Sequence, residues 1–336
     1  MLKLILVPLD TSRFAEQALP HAIMLARRAG AKLQLVCIRA AFPPDLPGPQ
    51  EEAYLSRIAA QLEPELPHAI MHNVVTDELG PIDPPPDSNR VAGVLWRYAR
   101  EHDADLIVMA THGRGGLLRA WLGSVANSLI RRASRPVLLV RPQDEVFGSA
   151  LEADRGIRHI VVPLDGSTTA EQVIPYALAV GSPYGARYSL VRVIFPPEWN
   201  AYQSWAARVA ALGVSPPIFM ESDAAPSLSR QEVAESLESV ANRMREGGVS
   251  VTAHVLEEFS PAEAIVQYAQ AHAADAVAVS TGGVGGVPRL LLGSVADRIV
   301  RTSEIPVLVC NVRRLEPVTE PANEAVAATS QLREET

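Results

Sequence analysis

Short apolar runs alternate along this chain with longer segments of helical periodicity. Residues 3–8 form the first run, and residues 13–29 follow with apolar positions at helical spacing, ending at Gly30, a typical helix C-cap. Further strands are predicted over 32–38, 69–75, 105–110 and 136–140, and helices over 50–63, 90–102 and 123–133. The alternation predicts an α/β domain with a doubly wound, five-stranded parallel sheet, Rossmann-like, with strand order 3-2-1-4-5.

The same pattern occurs twice. Residues 5–10 read Ile-Leu-Val-Pro-Leu-Asp and residues 160–165 read Ile-Val-Val-Pro-Leu-Asp, and Leu-Gly-Ser-Val-Ala recurs at 122–126 and 292–296. We therefore predict two tandem domains. The predicted ranges are domain one at 1–143, a linker at 144–156, domain two at 157–313 and a disordered tail at 314–336.

Two features of each copy are predicted to meet at one edge of the sheet. Asp10 and Asp165 end the first strands, and glycine-rich loops leave the fourth strands. Ligands of open parallel sheets bind at the carboxyl ends of the strands where the winding reverses, here between strands one and four. The loop glycines allow close backbone approach, and Ser124 and Ser294 are predicted N-caps of helices whose free amides suit a phosphate.

The residues leave alternatives open at this edge. An aspartate there accepts hydrogen bonds from a ribose or an adenine amine, or helps to hold Mg²⁺ on phosphates. Asp10 also suits a cap of the first helix, because Ser12 and Glu16 follow it. Glycines after a strand are often only turn residues, and a serine before a helix is often only a cap.

Composition excludes several classes of function. The net charge of −8 argues against nucleic-acid binding. Apolar runs fall short of the ~20 residues of a membrane helix, and residues 1–10 read as a buried strand rather than a signal sequence. The two cysteines, Cys37 and Cys310, form no disulfide framework and fit a reducing cytoplasm.

Catalytic motifs are also missing from the sequence. The only lysines are Lys3 and Lys32, which excludes a Walker-type P-loop, and there is no Gly-x-Ser-x-Gly elbow for a hydrolase nucleophile. His68 and His72 flank a predicted strand, where they lie ~13 Å apart, too far to share one metal. These absences favour a binding protein over an enzyme.

In combination, the repeated segments resemble the universal stress protein family in its tandem two-domain form. They are Val-Pro-Leu-Asp at 7–10 and 162–165, Met-Ala-Thr-His-Gly-Arg-Gly-Gly at 109–116, Leu-Gly-Ser-Val-Ala at 122–126 and 292–296, and Arg-Pro-Val-Leu-Leu-Val at 135–140. Nucleotide-binding members of that family carry Gly-x-x-Gly-x9-Gly-Ser/Thr. The nine-residue spacing is kept here in both copies, but the first glycine is Ala110 in one and Ser280 in the other.

The resemblance implies an ATP site in each copy, with Mg²⁺ as a companion of the nucleotide. Asp10 and Asp165 would contact the adenosine, and Ile38 and Val193 would flank the adenine. The ribose and phosphates would be held in copy one by Ala110, Gly113, Arg114, Gly116, Gly123, Ser124 and Val125, and in copy two by Gly283, Gly286, Gly293, Ser294 and Val295. Because Val284 replaces Arg114 in copy two, we expect copy one to bind more tightly.

The family implies a function and an assembly. The expected protein is a cytoplasmic, ATP-binding sensor or regulator of the stress response, with at most slow ATP hydrolysis. The alternatives are a nucleotide-free scaffold or dimerisation protein and, less favoured, an adenylate-transferring enzyme of related fold. The family's domains pair through the fifth strand, so residues 137–140 and 307–310 are expected to pair within the chain. Homodimerisation stays open.

Overall fold

A computed structural model describes residues 2–39, 50–76, 88–111, 122–142, 156–196, 229–281 and 293–312. The tail at 314–336, the linker up to residue 155 and almost all of the two irregular stretches expected at 80–88 and 196–226 lie outside these residues. The first half contains β1 Leu4–Leu9, α1 Arg13–Glu16, α2 Leu19–Ala29, β2 Lys32–Arg39, α3 Gln50–Leu62, β3 Ile70–Thr76, α4 Ser88–Glu101, β4 Leu106–Ala110, α5 Ser124–Arg132 and β5 Val137–Val140.

The second half repeats this order of elements. It contains β6 His159–Pro163, α6 Thr168–Glu171, α7 Ile174–Gly181, a 3₁₀ turn Ser182–Tyr184, β7 Arg187–Ile194, α8 Arg230–Glu246, β8 Val251–Glu257, α9 Pro261–Ala271, β9 Ala276–Ser280, α10 Ser294–Thr302 and β10 Val307–Cys310.

All strands form one ten-stranded sheet in the order β3-β2-β1-β4-β5-β10-β9-β6-β7-β8. Within each half the pairing is parallel, so the predicted order 3-2-1-4-5 and the α/β class are confirmed. The halves join where β5 and β10 run antiparallel, with Leu138 opposite Leu308. Both leucines are almost completely buried.

Reciprocal hydrogen bonds flank this seam. Asn311, just after β10, donates its side-chain amide to the carbonyl of Arg131 at 3.0 Å, near the end of α5 in the other half. Its counterpart Arg141, just after β5, donates a guanidinium N–H to the carbonyl of Ser303 after α10 at 3.4 Å. Each half thereby satisfies helix-terminal carbonyls of the other, which no intrahelical donor reaches.

The single helix predicted over 13–29 is wrong in detail, because it is two helices, α1 and α2, separated at Gln17 and Ala18. Pro20 has no backbone N–H to continue the α-helical ladder, and it starts α2 within its first two positions. Pro175 does the same for α7 in the second half.

Each face of the sheet packs against its own set of helices. One apolar cluster lies beneath α2, α3, α7 and α8 and spans both halves, including Leu138 and Leu308. The second cluster lies on the other face, beneath α4, α5, α9 and α10. Cys37 and Cys310 are buried within the first cluster, and they form no disulfide with each other. Burial raises the pKa of Cys310, so this thiol is a packing group rather than a nucleophile.

Candidate functional site

The turn after β1 is organised around Asp10. Asp10 Oδ1 accepts hydrogen bonds from the backbone N–H of Ser12 at 3.0 Å and from its hydroxyl at 2.5 Å. The Ser12 hydroxyl oxygen accepts the backbone N–H of Ala15 at 3.2 Å and so caps α1. The suggestion that Asp10 itself caps this helix is therefore wrong. Asp10 orients the capping serine, and its carboxylate stays half-buried at the strand end.

The turn after β6 repeats this arrangement. Asp165 Oδ1 accepts the N–H of Ser167 at 2.9 Å and its hydroxyl at 2.6 Å. The Ser167 oxygen accepts the N–H of Ala170 at 3.0 Å and caps α6. Asp165 is exposed, whereas Asp10 is half-buried.

The residue between the aspartate and the serine has a positive φ in both halves. In the second half it is Gly166, at φ +86°, and in the first half it is Thr11, at φ +66°. Glycine adopts this region without a steric cost, whereas a β-branched residue there is an outlier. The two turns share a backbone path but differ in the space above it.

That space holds an arginine that the sequence reasoning missed. The guanidinium of Arg192 lies over Gly166, and an ideal Cβ on that glycine would be 2.5 Å from Nη1, 2.7 Å from Cζ and 2.8 Å from Nη2. Arg192 occupies, in β7, the place that Cys37 has in β2. The sequence contains a signal for this contact, because two residues change together between the copies: Arg192 stands in place of Cys37, and Gly166 in place of Thr11.

We expect Gly166→Ala to destabilise the protein by more than about 1 kcal/mol, because it adds a φ penalty and displaces Arg192. Gly185→Ala is the matched control, since Gly185 has φ +62° and nothing within 4 Å of its ideal Cβ. Urea unfolding measures both. When Arg192→Gln is also present, Gly166→Ala should destabilise the protein by less, and its effect should move closer to that of Gly185→Ala. Equal costs for the two alanine variants would contradict the contact.

The helices that follow strands four and nine begin at glycine. Gly123 is the N-cap of α5 at φ −60° and ψ 149°, and Gly293 is the N-cap of α10 at φ −59° and ψ 147°. The prediction that Ser124 and Ser294 are N-caps is therefore wrong, because each serine is the first helical residue. The backbone N–H of each glycine binds the carbonyl at the end of the preceding strand, Gly123 to Thr111 at 2.5 Å and Gly293 to Thr281 at 3.2 Å, which holds the glycine outside the helix.

This arrangement leaves the first turn of both helices without a side-chain cap. Elsewhere the chain supplies such caps from Ser12, Ser167 and Ser229. The first amides of a helix have no intrahelical acceptor and lie at the positive end of its dipole, which suits an anion. An incoming phosphate would meet the N–H groups of Ser124 and Val125, or of Ser294 and Val295.

The sheet brings these residues together within each half. β1 pairs directly with β4, and β6 with β9, so each aspartate lies at the same sheet edge as the start of the glycine-led helix. Ile38 and Val125 both border the second apolar cluster, as do Val193 and Val295 in the other half. Ala110 is buried at the end of β4. The remaining predicted contacts, Gly113, Arg114, Gly116, Gly283 and Gly286, lie outside the described residues.

The two helix starts differ in charge. In α10 the first turn carries Asp297, which accepts hydrogen bonds from the guanidinium of Arg301 at 2.7 and 3.0 Å. In α5 the same place is the neutral Asn127, bound to Arg131 at 3.2 Å. A phosphate at α10 would therefore meet an acidic neighbour that is neutralised by a salt bridge, whereas one at α5 would meet none there.

The model of one protein family, the universal stress protein family, matches residues 1–141 and 156–311. The chain belongs to the universal stress protein family. The resemblance inferred from the sequence, including the tandem form, is confirmed by this pair of matches.

Relatives and solved structures agree with this assignment. A universal stress protein of Mycobacterium tuberculosis is 30% identical over 208 residues, covering 62% of this chain and 62% of its own length. The chain thus matches less than two thirds of that relative. A universal stress protein of Mycolicibacterium smegmatis is 27% identical over 92% of this chain and 97% of its own. The crystal structure of a universal stress protein from Archaeoglobus fulgidus has the same fold, with a TM-score of 0.56 at 18% identity, covering 91% of this chain and 95% of its own.

A second polar cluster lies at the opposite edge of the sheet in this universal stress protein. His159 in β6 is buried, and its Nε2 is 2.8 Å from the hydroxyl oxygen of Ser189, which lies 3.4 Å from that of Thr252. His254 continues the chain, with its Nε2 2.9 Å from Thr252 Oγ1. Sequence reasoning missed this cluster because its members come from three strands, and the register of β6 on β7 sets Arg187, not Ser189, directly opposite His159. Since His159 and Ser189 are buried, this pair has no access to a substrate.

The charged and titratable groups around His159 set its protonation. Burial first, and then the positive charge of Arg187 in β7, lower the pKa of His159, against an opposing effect of Asp275 before β9. His272, after α9, places its carbonyl 3.2 Å from His159 Nδ1. Burial and His272 also lower the pKa of His254. Both histidines therefore bind a proton less readily in the folded protein than a free imidazole does.

We expect the free energy of unfolding to fall as the pH drops from 7.5 towards 5.5. A histidine with a lowered pKa binds its proton more readily in the unfolded chain, where the pKa is about 6.5, so acid favours unfolding. One such histidine contributes at most about 1.4 kcal/mol per pH unit. His159→Leu introduces the residue that stands at the equivalent position of the first half, Leu4. In urea titrations, this variant should show a smaller change in the free energy of unfolding per pH unit. An unchanged slope would contradict the assignment.

Among the residues that the structure describes, no helix is both long and apolar enough to cross a membrane. Over the same part of the chain, no three histidine, cysteine, aspartate or glutamate side chains are grouped as a metal site.

Proposed function

We propose that this universal stress protein binds adenine nucleotides, foremost ATP, in one crevice per half, and acts as a sensor or regulator of the stress response. The observation that supports this best is the repeated pairing of a strand-end aspartate with a helix that begins, uncapped, at a glycine. The aspartate offers a hydrogen-bond acceptor for the adenosine, and the helix start offers amides for the phosphates.

The space at the helix start fits a ligand. Gly293 has φ and ψ values that any residue adopts, and among the described atoms an added Cβ would meet only Thr281 O, at 3.7 Å. Neither the backbone nor packing against the described residues therefore requires glycine there. A closely approaching phosphate is a physical reason for its presence, in keeping with the Gly-x9-Gly-Ser spacing of the preceding loops.

The chemistry of the described part of the crevice is that of binding. It consists of a carboxylate, helix amides and the apolar margin that Ile38 and Val193 provide. Bound ATP would bring Mg²⁺ on its phosphates. The chain's own residues would orient the nucleotide, and occupancy of the crevice would be the signal.

Mass spectrometry tests the proposal. Nucleotides released from the purified, denatured chain should include ATP, and native spectra of the stripped chain with ATP and Mg²⁺ should show one or two adducts. GTP should give fewer, because the proposed site is built around adenosine. A folded chain that carries and accepts no adenine nucleotide would contradict the proposal and favour the nucleotide-free scaffold.

A further inference from the structure

The crevice of the second half carries the positive charge of Arg192 at a position where the first half has the neutral Cys37. Arg192 follows the centre of β7 towards its carboxyl end and lies against the backbone of Gly166, next to Asp165. Its side chain is half-buried, and within the described residues it makes no hydrogen bond and no ion pair. A guanidinium in that state has lost part of its hydration without gaining a partner from the described part of the chain, and a ligand phosphate would supply one.

The first half shows what a structural arginine at this strand end looks like. Arg39, two residues beyond Cys37, donates hydrogen bonds to Glu51 Oε2 at 3.3 and 3.1 Å. That arginine is neutralised by α3. Arg192 has no such carboxylate among the residues that the structure describes, and the replacement of Thr11 by Gly166 provides the space that the guanidinium fills.

Position decides which part of a nucleotide Arg192 would contact. Its neighbour Val193 is proposed to flank the adenine, and Asp165, which precedes the glycine beneath its guanidinium, is proposed to contact the adenosine. The helix start at Gly293, proposed for the 5′-phosphates, belongs to the other side of the crevice, after β9. Arg192 thus lies on the adenosine side, where a ribose hydroxyl, not the 5′-phosphate, is the nearest group.

In dinucleotide-binding α/β folds an acidic residue after the second strand binds a free ribose 2′-hydroxyl, and a nearby arginine accommodates a 2′-phosphate. The guanidinium is planar and binds a phosphate with two parallel hydrogen bonds. We infer that the second half selects an adenine nucleotide with an additional phosphate on the 2′- or 3′-hydroxyl of its ribose, and that Arg192 binds this phosphate while Asp165 binds the remaining hydroxyl. This inference rests on the proposed nucleotide site.

Calorimetric titration of the full chain tests the inference. The probes are AMP, adenosine 2′,5′-bisphosphate and adenosine 3′,5′-bisphosphate. We expect one bisphosphate to bind about ten- to a hundredfold more tightly than AMP, as one charge-assisted contact provides. Arg192→Gln should abolish this preference and change AMP binding less than about threefold. Arg39→Gln, the matched control in the first half, should keep the preference. Thermal melts confirm that both variants fold.

The outcomes separate this inference from the proposed function. If AMP and ATP bind but the ribose phosphate adds nothing, or its gain survives Arg192→Gln, the inference is wrong and the proposed function stands. If Arg192→Gln tightens all three ligands equally, the arginine blocks the crevice and the inference is also wrong. If a bisphosphate binds through Arg192 but ATP does not bind, ATP is rejected as the ligand and the inference about Arg192 stands. If no nucleotide binds the folded chain, both proposals fail.

Discussion

Replacing Gly123 and Gly293 together by valine is expected to weaken ATP binding more than about a hundredfold. A branched side chain at these N-caps would stand between the phosphates and the first helix amides, and the loss of two charge-assisted hydrogen bonds, each about 1.5–3 kcal/mol, accounts for that factor. Calorimetry with ATP and Mg²⁺ measures the loss.

The fold should tolerate these substitutions. Both glycines have extended backbone angles, and the ideal Cβ of Gly293 meets one atom of the described part of the chain, Thr281 O, at van der Waals distance. Melting temperatures close to that of the wild type would therefore assign the lost affinity to the site. The single variants report which half binds more tightly, since Arg114 favours the first and Arg192 the second. Unchanged affinity in the double variant would place the ligand elsewhere.

Leu308→Ala is expected to destabilise the whole protein by about 3 kcal/mol, the second of the largest effects. Leu308 is only 1% exposed and lies opposite Leu138 where β10 meets β5. The cavity would open in the apolar cluster that both halves share, so the two halves should unfold together at a lower denaturant concentration.

A surface control separates burial from loss of an apolar side chain. Met71, in the edge strand β3, is 38% exposed, and Met71→Ala should cost less than about 0.5 kcal/mol. Circular dichroism and tryptophan fluorescence during urea unfolding follow both variants. If Leu308→Ala shifts only one of two separate transitions, the halves are independent units and the seam is not a common core.

Much of this architecture could be predicted from the sequence, because the repeat and the alternation of strands and helices extend over long stretches of the chain. The strand order followed from two parallel βαβ halves, and Asp10 and Asp165 were placed correctly at strand ends. The break between α1 and α2 also has a sequence signal, since Pro20 stands inside the helical pattern, although the apolar periodicity of 13–29 by itself predicts one helix.

Other features depended on contacts that residue preferences do not contain. Serine is a better N-cap than glycine, so residue preference predicts Ser124 as the N-cap. The hydrogen bond from Gly123 N–H to Thr111 O instead holds Gly123 at that position. Arg192 resembles an ordinary polar residue near a strand end until the path of the turn at Gly166 is known. His159 becomes notable only when the folded sheet brings the Ser189 hydroxyl within hydrogen-bond distance of its ring.

The central claim is that the paired aspartate and glycine-led helix form a nucleotide site. Calorimetric titration of the nucleotide-stripped, folded wild-type chain with ATP in the presence of Mg²⁺ tests it most directly. We predict saturable binding of one or two ATP molecules per chain, one for each functional crevice. A folded chain that gives no binding heat across a range of temperatures, with no ATP adduct in native spectra, would contradict the claim.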